Sequence, residues 1–418
     1  MVATTAPDIV RTADGVPLKQ KLQRVERSRQ LKAVGLVMPL LLFIILSFAL
    51  PILTMLKNAI DDPEDISQVL PATMQALQSW NGQDIPDEAA FAALAADLKQ
   101  AQKDKTAALV GKRLNYEISG IRSKVIASAR KAEKLEAGPY KDAIIAMDPV
   151  WGERDTWATI KRADSPWTSF YLLAALDMQR DADNSLESVP AERSIYKTVF
   201  VRTFWIAFQV TLATLILGFP VAYLLAKLPT RYSNLLMIFV LLPFWTSLLV
   251  RTTAWFVLLQ DNGLINEMIQ LLHLSSEPVR LIFSRLGTII AMTHIQLPFT
   301  LLPIYSVMKT ISPSHVRAAR SLGAGPFYAF WRVYFPQTVP GIAAGCLLTF
   351  ILCLGYYITP ALVGGATDQM VSNLVATAIN QENNWGKASA LGGILLAATL
   401  ILYSVYNRLV GVDKMKFG

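Results

Sequence analysis

Long apolar segments alternate with polar ones along this chain, and their lengths define its architecture. A helix needs about 20 mostly apolar residues to cross the hydrocarbon layer of a membrane. Six segments meet that requirement, at 33–56, 199–226, 234–259, 286–308, 338–363 and 388–410. The pattern therefore predicts an all-α membrane protein with six transmembrane helices.

The polar segment between the first two spans is far longer than the others. It covers residues 57–198, and its apolar positions recur at helical spacing, first from Phe91 to Leu98 and then from Leu114 to Leu135. We predict a mainly helical extracytoplasmic insertion built on a helical hairpin. Two roles stay open for it: a docking surface for an extracytoplasmic protein, or a structural cap on the external loops.

Basic residues are unevenly distributed, and cytoplasmic segments carry the excess of Lys and Arg in membrane proteins. The leader and the loop at 309–337 are rich in them, whereas the opposite short loops hold few, namely Arg280, Arg285 and Lys387. Both termini are therefore predicted to be cytoplasmic. The predicted domains are a leader (1–32), the first span (33–56), the insertion (57–198), a five-helix core with a cytoplasmic loop (199–411, loop 309–337) and a tail (412–418).

Composition supports a membrane protein and argues against nucleic acid as a partner. Hydrophobic residues make up 53% of the chain and charged residues 17%. The net charge of +8 fits the cytoplasmic excess of Lys and Arg, and the basic residues are not interleaved with aromatic ones, so no nucleic acid partner is expected. Cys346 and Cys353 lie in one predicted helix with a rise of about 10 Å between them, which exceeds disulfide reach.

Signatures of catalysis are missing. The chain has no phosphate-binding loop of the G-x-x-x-x-G-K-[ST] kind, and His273, His294 and His315 are far apart with no H-E-x-x-H motif. There is no G-x-S-x-G elbow and no pair of acids within a span. We therefore expect neither a catalytic site nor a metal site, and no cofactor bound by this chain.

Polar groups within the spans are costly in lipid and tend to face a cavity or a partner. Arg251 is the one clear charge inside a predicted span. These groups have two interpretations. They line a solute pathway, or they have a structural role, in which Arg251 extends to the membrane surface and Gln296 forms a hydrogen bond with another helix. The candidate residues of a solute pathway are Trp245, Thr246, Arg251, Trp255, Gln296, Tyr356 and Tyr357.

The loop sequence "RAARSLGAGPFYAFWRVYFP", at 317–336, lies between two long apolar runs. Its two alanines favour a helix, Gly323 and Gly325 supply a turn, and Pro326 is suited to start a second helix, which Pro336 would end. This predicts a projection with one small arm and one aromatic arm, as a protein interface requires. The alternative is a loop whose aromatic side chains rest at the lipid headgroups.

The loop resembles that of ABC importer permeases, which reads E-A-A, three residues, G, nine residues, then I-x-L-P. Arg, Val and Phe stand here in place of Glu, Ile and Leu. The segments "GFPVAYLLAKLP" (218–229), "LLPFWTSLLVRTTAWFVLLQDNGLIN" (241–266) and "IQLPFTLLPIYSVMKTI" (295–311) are similar to the spermidine/putrescine type, whose subunits usually have a short connection in place of the insertion. The loop positions that match the pattern are Arg317, Ala318, Ala319, Gly323, Val333, Phe335 and Pro336.

The resemblance implies a complex in the bacterial inner membrane. Its parts would be two homologous permeases, two ATPase subunits that use ATP and Mg²⁺, and a periplasmic solute-binding protein. The matching loop residues would dock into a cleft of one ATPase, and ATP binding would rock the spans between two states. The implied substrate is a polyamine-like small organic solute.

Other functions stay open at this point. Arg251 and the lack of acids in the spans also suit an anionic or zwitterionic solute, such as an opine, an amino-acid derivative or an organic phosphate. A membrane receptor or channel with an extracytoplasmic sensing domain is the alternative class.

Overall fold

Helices make up most of the computed structural model, which describes residues 18–62, 64–136 and 138–410. The first helices are α1 (Leu18–Ile44), α2 (Leu50–Asn58), α3 (Pro71–Gln78), α4 (Glu88–Lys103), α5 (Ala107–Asn115), α6 (Ile121–Ala132), α7 (Tyr140–Met147), α8 (Arg154–Arg162) and α9 (Phe170–Ala175). A hairpin of β1 (Met178–Arg180) and β2 (Leu186–Ser188) follows. The later helices are α10 (Tyr196–Lys227), α11 (Thr230–Leu241), α12 (Leu248–Leu258), α13 (Leu264–Leu271), α14 (Arg285–Thr310), α15 (Pro313–Ser321), α16 (Pro326–Ala329), α17 (Phe335–Leu354), α18 (Ile358–Val363), α19 (Val371–Asn380) and α20 (Trp385–Val410).

Five helical stretches in the described part of the chain are long and apolar enough to cross a membrane. They are Arg29–Asn58, Tyr196–Lys227, Arg285–Thr310, Pro326–Leu354 and Trp385–Arg408. A sixth crossing is formed if α11 and α12, which are bent by 96° at a short break, count as one span. The predicted fold class is confirmed, but two spans differ from the prediction in shape.

The third predicted span, 234–259, is broken rather than continuous. α11 runs into a 3-10 turn at Leu242–Trp245, and helix resumes only with α12. Pro243 has no N–H group to continue the helical hydrogen bonds, and the Ser247 hydroxyl accepts the Val250 N–H at 3.2 Å to start the new helix. Such breaks persist at membrane depth where the backbone packs on protein or lines a cavity.

The fifth predicted span, 338–363, is displaced along the chain. Its helix starts at Pro326, passes through a π-turn at Phe330–Tyr334 and ends at Leu354. Gly355 caps the end, and α18 is a separate short helix. The apolar run continues through α18, but an apolar run alone does not indicate where the helix ends.

The first span belongs to a unit of its own, which ends at Lys57. α1 and α2 are joined by a π-turn at Ile45–Ala49, and Pro51, which cannot donate a backbone hydrogen bond, is the second residue of α2. Apolar side chains such as Leu36 and Phe43 are exposed. This surface is what a helix in contact with lipid requires.

The insertion has a hydrophobic core of its own. Phe91, Trp151 and Trp157 are fully buried at its centre, and the rings of Phe91 and Trp157 meet edge to face with centroids 4.7 Å apart. Helices α3 to α8 surround this core. The prediction of a mainly helical insertion is thereby confirmed.

The predicted helical hairpin is wrong in detail. In place of one helix from Leu114 to Leu135, α5 and α6 are separate helices. Gly120 between them has a φ of +80°, and the Asn115 side chain accepts its N–H at 2.9 Å. Gly120 directly precedes α6, and a residue in the left-handed region cannot belong to a right-handed helix, so the predicted single helix is divided in two.

A buried ion-pair network links the start of the insertion to α5. The guanidinium of Arg113 donates to the carboxylates of Asp62 and of Glu117, the latter at 3.0 Å. Lys112 bonds Glu64, and this hydrogen bond raises the pKa of the Lys112 ammonium group. Buried charges are tolerated when they are paired and hydrogen-bonded, so these partners depend on one another.

The centre of the membrane core is formed by α10, α14 and α17. Gly341 and Gly345 let α17 approach α14 closely: a Cβ at Gly345 would lie 2.5 Å from the carbonyl oxygen of Thr300. The Thr300 hydroxyl lies 2.8 Å from that of Thr214 and 2.6 Å from that of Thr349. Small residues and interhelical hydroxyl contacts therefore hold the three spans together.

Candidate functional site

The first arm of the loop at 317–336 ends in a tight turn. The Gly323 N–H donates to the Arg320 carbonyl and the Ala324 N–H to the Ala319 carbonyl, both at 3.0 Å, which is the pattern of a Schellman motif. Gly323 has a φ of +93°, a conformation that L side chains rarely adopt. The glycine of the loop pattern is therefore required by this turn.

The second arm does not end at Pro336, contrary to the prediction. Helical backbone continues from Pro326 through the π-turn at Phe330–Tyr334 into α17, and Pro336 lies in the first turn of α17. The π-turn changes the hydrogen-bond spacing just before a residue that cannot donate. As a result, the loop is continuous with the fifth span.

Several aromatic side chains of the second arm face α10. Phe330 and Tyr334 pack edge to face on Tyr223, with ring centroids 5.6 and 5.4 Å away. Phe335 lies 5.8 Å from Phe219. These rings therefore fasten the loop to the second span instead of projecting from it.

The part of the loop that does project carries large apolar side chains. Leu322 is 89% exposed and Phe327 is 77% exposed, and Tyr328 beside it is also exposed. We call these three residues the coupling surface. Of the positions predicted from the loop pattern, Arg317, Ala318, Gly323 and Pro336 are exposed, whereas Ala319, Val333 and Phe335 are half-buried.

Within the part of the chain that the structure describes, three of the predicted pathway residues are not linked to the other candidates by side-chain interactions of the kinds given below. Trp245 is 75% exposed beside the break in the third span, and the Thr246 hydroxyl donates to the Pro243 carbonyl at 2.8 Å. Tyr357 is exposed at the start of α18. In the described residues, no hydrogen bond or ring contact joins these three to the other candidates.

The other candidates converge from three segments. The indole N–H of Trp255 donates to Nδ1 of His294 at 3.1 Å, and the two rings lie 5.3 Å apart. Arg251, one turn before Trp255 on α12, lies close enough to both His294 and Tyr356 to interact with them electrostatically. The broken third span thus brings a cation and aromatic faces to α14 and to the end of α17.

Gln296 adds unsatisfied polar atoms to this group. It is fully buried on α14, where its amide interacts with the thiol of Cys353, a weak hydrogen-bonding group. Neither atom of the amide has an oxygen or nitrogen partner among the described residues. The Nε of Arg251 is also buried without a partner. Buried polar groups without partners cost free energy, so this region is suited to hydrogen-bonding a molecule that enters it.

Acidic residues are absent from this region. None of the six spans contains Asp or Glu, and no ion pair among the described residues involves Arg251. Within 18–62, 64–136 and 138–410, no group of three or more His, Cys, Asp or Glu side chains is placed to hold a metal ion. The chemistry available here is hydrogen bonding and aromatic contact around one cation.

Comparison with known proteins covers mainly the membrane core. Residues 215–411 match the family described as binding-protein-dependent transport system inner membrane component. Among solved structures, a bacterial alginate ABC transporter in complex with alginate pentasaccharide-bound periplasmic protein aligns with 54% of this chain and 81% of that chain, with a TM-score of 0.43 and 18% identity. The insertion lies outside the family match.

Curated relatives cover more of the sequence. The spermidine/putrescine transport system permease protein PotB of Haemophilus influenzae is 31% identical over 249 residues, or 57% of this chain and 87% of the relative. PotB of Escherichia coli is 33% identical over 52% of this chain and 80% of the relative. The inner membrane ABC transporter permease protein YdcU of Escherichia coli is 30% identical over 60% of this chain and 83% of the relative. This chain therefore belongs to the binding-protein-dependent ABC importer permeases, within the polyamine-like group.

Proposed function

We propose that this chain forms the solute pathway of an ATP-driven importer and couples it to a separate ATPase through the loop at 309–337. The family consists of transport permeases, not catalytic subunits. The partners would be a pair of ATPase subunits, which use ATP and Mg²⁺, a second homologous permease and a periplasmic solute-binding protein. Both termini would then lie in the cytoplasm, and this chain would bind no cofactor itself.

The observation that carries this proposal is the attachment of the second arm of the loop to two different spans. Aromatic rings fasten it to α10, and unbroken helix joins it to α17. A push on the exposed coupling surface therefore reaches two spans of the core. An ATPase that contacts this surface differently in its two states would shift the conformational equilibrium of the spans by the difference in contact free energy.

The first test changes the turn in the loop. Gly323→Asp places a charged side chain where φ is +93°, beside the coupling surface. We expect the variant to fold and insert but to lose uptake into vesicles that contain the whole transporter. Uptake at the wild-type rate would contradict coupling through this loop.

A matched control lies two residues along the chain. Gly325 also has open space around it, but its φ is −64°, which any residue adopts. Gly325→Ala should therefore retain most of the uptake. Equal losses in the two variants would mean that the turn at Gly323 has no special role.

A second test concerns the partners. The tagged chain would be purified in mild detergent from its native membrane, and bound proteins identified by mass spectrometry. Recovery of an ATPase, a second permease and a periplasmic binding protein would support the proposal. Recovery of the chain alone, even after cross-linking at 317–336, would favour a receptor or channel, as would a ligand-dependent current without any ATPase.

The substrate we propose is a polyamine-like small organic solute. Its support is the similarity to permeases named for spermidine and putrescine, together with the aromatic faces of Trp255 and Tyr356, which attract organic cations. Binding of spermidine and putrescine to the co-purified binding protein tests this directly. Failure to bind either polyamine would overturn the substrate class and leave the transport class untouched.

One observation favours a second substrate class. Arg251 has no ion-pair partner among the described residues, and the spans carry no carboxylate, so an anionic or zwitterionic solute such as an opine, an amino-acid derivative or an organic phosphate would find a cation in the pathway. Arg251→Gln separates the two classes. It should lower uptake of an anion at least tenfold, since a charged hydrogen bond is worth about 1.5–3 kcal/mol, but it should not lower uptake of a cation.

A further inference from the structure

One buried carboxylate of the insertion holds the start of α10. Asp177 is 1% exposed. Its side chain accepts the backbone N–H groups of Ile195, Tyr196 and Lys197 at 3.0, 3.1 and 2.7 Å. The first N–H groups of a helix have no acceptor within their own helix, so Asp177 satisfies donors that would otherwise be unpaired.

The origin of this cap is unusual. Such a cap normally comes from the residue directly before the helix, but that residue is Ile195, whose side chain has no acceptor. Asp177 lies 18 residues earlier, beside the hairpin, and its own carbonyl accepts the Val189 N–H at 3.1 Å. The second span therefore begins on a residue that the insertion holds in place.

A second contact joins the insertion to α20. The Tyr171 ring of α9 lies so close to Gly386 that a Cβ there would be 2.4 Å from Cε2 of the ring. The ammonium of Lys387, the next residue, lies 5.8 Å from the ring centroid of Tyr196. The apolar cluster at this junction consists of Ala59, Tyr171, Ala175, Val199, Val371, Ala390 and Leu391.

We propose that Asp177 and Tyr171 are positioning residues for transport. Through them the insertion sets the first turns of α10 and α20 together, and so controls how these two spans move during the transport cycle. α10 packs on α14 and α17, and its other end carries the rings that hold the coupling loop. A shift of the first turn of α10 is therefore transmitted along this helix to the loop at 309–337.

This inference rests on the proposed transport function, but its first test needs only the full-length chain in lipid nanodiscs. Hydrogen exchange would be measured at the amides of 195–197. Asp177→Ala should speed their exchange about tenfold, because a lost cap destabilises the first turn. Asp177→Asn should give an intermediate rate, since its amide oxygen still accepts from two of the three donors.

A substitution on the membrane side tests whether the two contacts act as one unit. Gly386→Ala forces the Tyr171 ring away while every residue of the insertion, Asp177 included, keeps its identity. We expect faster exchange at 195–197 in this variant also. Gly138→Ala is the matched control, because a Cβ there meets nothing within 4 Å. Unchanged exchange in Gly386→Ala would overturn a joint hold on α10 and α20.

The functional test uses the complete transporter in vesicles. The readout is the stimulation of ATP hydrolysis by the solute-binding protein, at equal amounts of inserted chain. Asp177→Ala and Gly386→Ala should lower the stimulation about tenfold, Asp177→Asn should restore part of it, and Gly138→Ala should match wild type. A merely structural role would lower the amount of chain and leave the stimulation of the remainder unchanged.

The outcomes separate this inference from the proposed function. Faster exchange at 195–197 together with wild-type stimulation would overturn the positioning role. A wild-type assembly that responds to no binding protein would instead count against the transport function. In that case exchange in Gly386→Ala still decides whether the insertion holds α10 and α20 together.

Discussion

The insertion and the membrane core solve the same packing problem with different side chains. The insertion buries large rings, such as Trp151 and Trp157, and a charged network around Arg113. The centre of the core is held by glycines and threonines, and its spans contain no acidic residue. Two regions of one chain thus follow two different rules of composition.

The difference follows from the solvent around each region. Outside the membrane, removing large apolar side chains from water supplies the main driving force. An apolar side chain gains little by leaving lipid, so spans associate through close backbone approach and interhelical hydrogen bonds. For this reason the core is stabilised at Gly345 and Thr300 by close helix contact and hydrogen bonds, whereas the insertion is stabilised by burial of the Trp157 and Phe91 rings.

The largest expected effect comes from breaking the charged network of the insertion. Arg113→Met leaves the buried carboxylate of Asp62 without its cation, whereas Glu117 keeps Arg162 at 3.2 Å. The insertion should lose about 3–5 kcal/mol of stability, the usual cost of an unpaired buried charge. Hydrogen exchange of the amides in α4 and α6 measures this loss directly.

The control for this change is Arg130→Met. Arg130 is exposed on α6, and a surface substitution should alter stability by less than about 0.5 kcal/mol. If the two variants matched, the buried network would contribute nothing, and the insertion would depend on its apolar core alone.

A smaller effect is expected from filling the close contact between α14 and α17. Gly345→Ala places a methyl group against the Thr300 carbonyl, and such overpacking costs about 1–3 kcal/mol. The thermal unfolding midpoint of the purified chain should fall. Gly355→Ala, where the nearest atom is 4.0 Å from the added Cβ, should leave it nearly unchanged. A similar midpoint for both would show that the core does not depend on close backbone approach.

The smallest effect concerns the hydroxyl contacts within the core. Thr300→Val keeps the shape of the side chain but removes its bonds to Thr214 and Thr349. Interhelical hydrogen bonds in membranes average about 0.6 kcal/mol, so the unfolding midpoint should fall only slightly. Thr399→Val should have no measurable effect, because Thr399 donates at 2.7 Å within its own helix to Leu395. A larger loss for Thr399 would reverse this comparison.

Periodicity and length were enough to predict the number of spans and the helical character of the insertion. They were not enough to predict its connections. Asp177 gives no signal in the sequence, because a cap is expected directly before its helix. The G-x-x-x-G spacing of Gly341 and Gly345 was a signal for the contact with α14.

The site shows the same limit. The pattern around Gly323 was readable because a left-handed residue at a helix end strongly favours glycine. The outward direction predicted for the aromatic arm was wrong for Phe330, which turns with Tyr334 toward Tyr223, more than a hundred positions away. Likewise, Arg251 meets His294 and Tyr356 because the third span is bent between α11 and α12. The apolar run over this span does not predict that bend.

The sequence by itself determined the solvent of each segment. Long apolar runs predict helices that lie in lipid, whereas apolar residues at helical spacing predict helices in water that bury one face against a neighbour. It also determined the loop turn, because that depends on one residue's backbone freedom. Only the tertiary structure decided which polar groups meet. Contacts such as Asp177 with α10, or Tyr171 with Gly386, join positions distant along the chain, and local propensities carry no information about them.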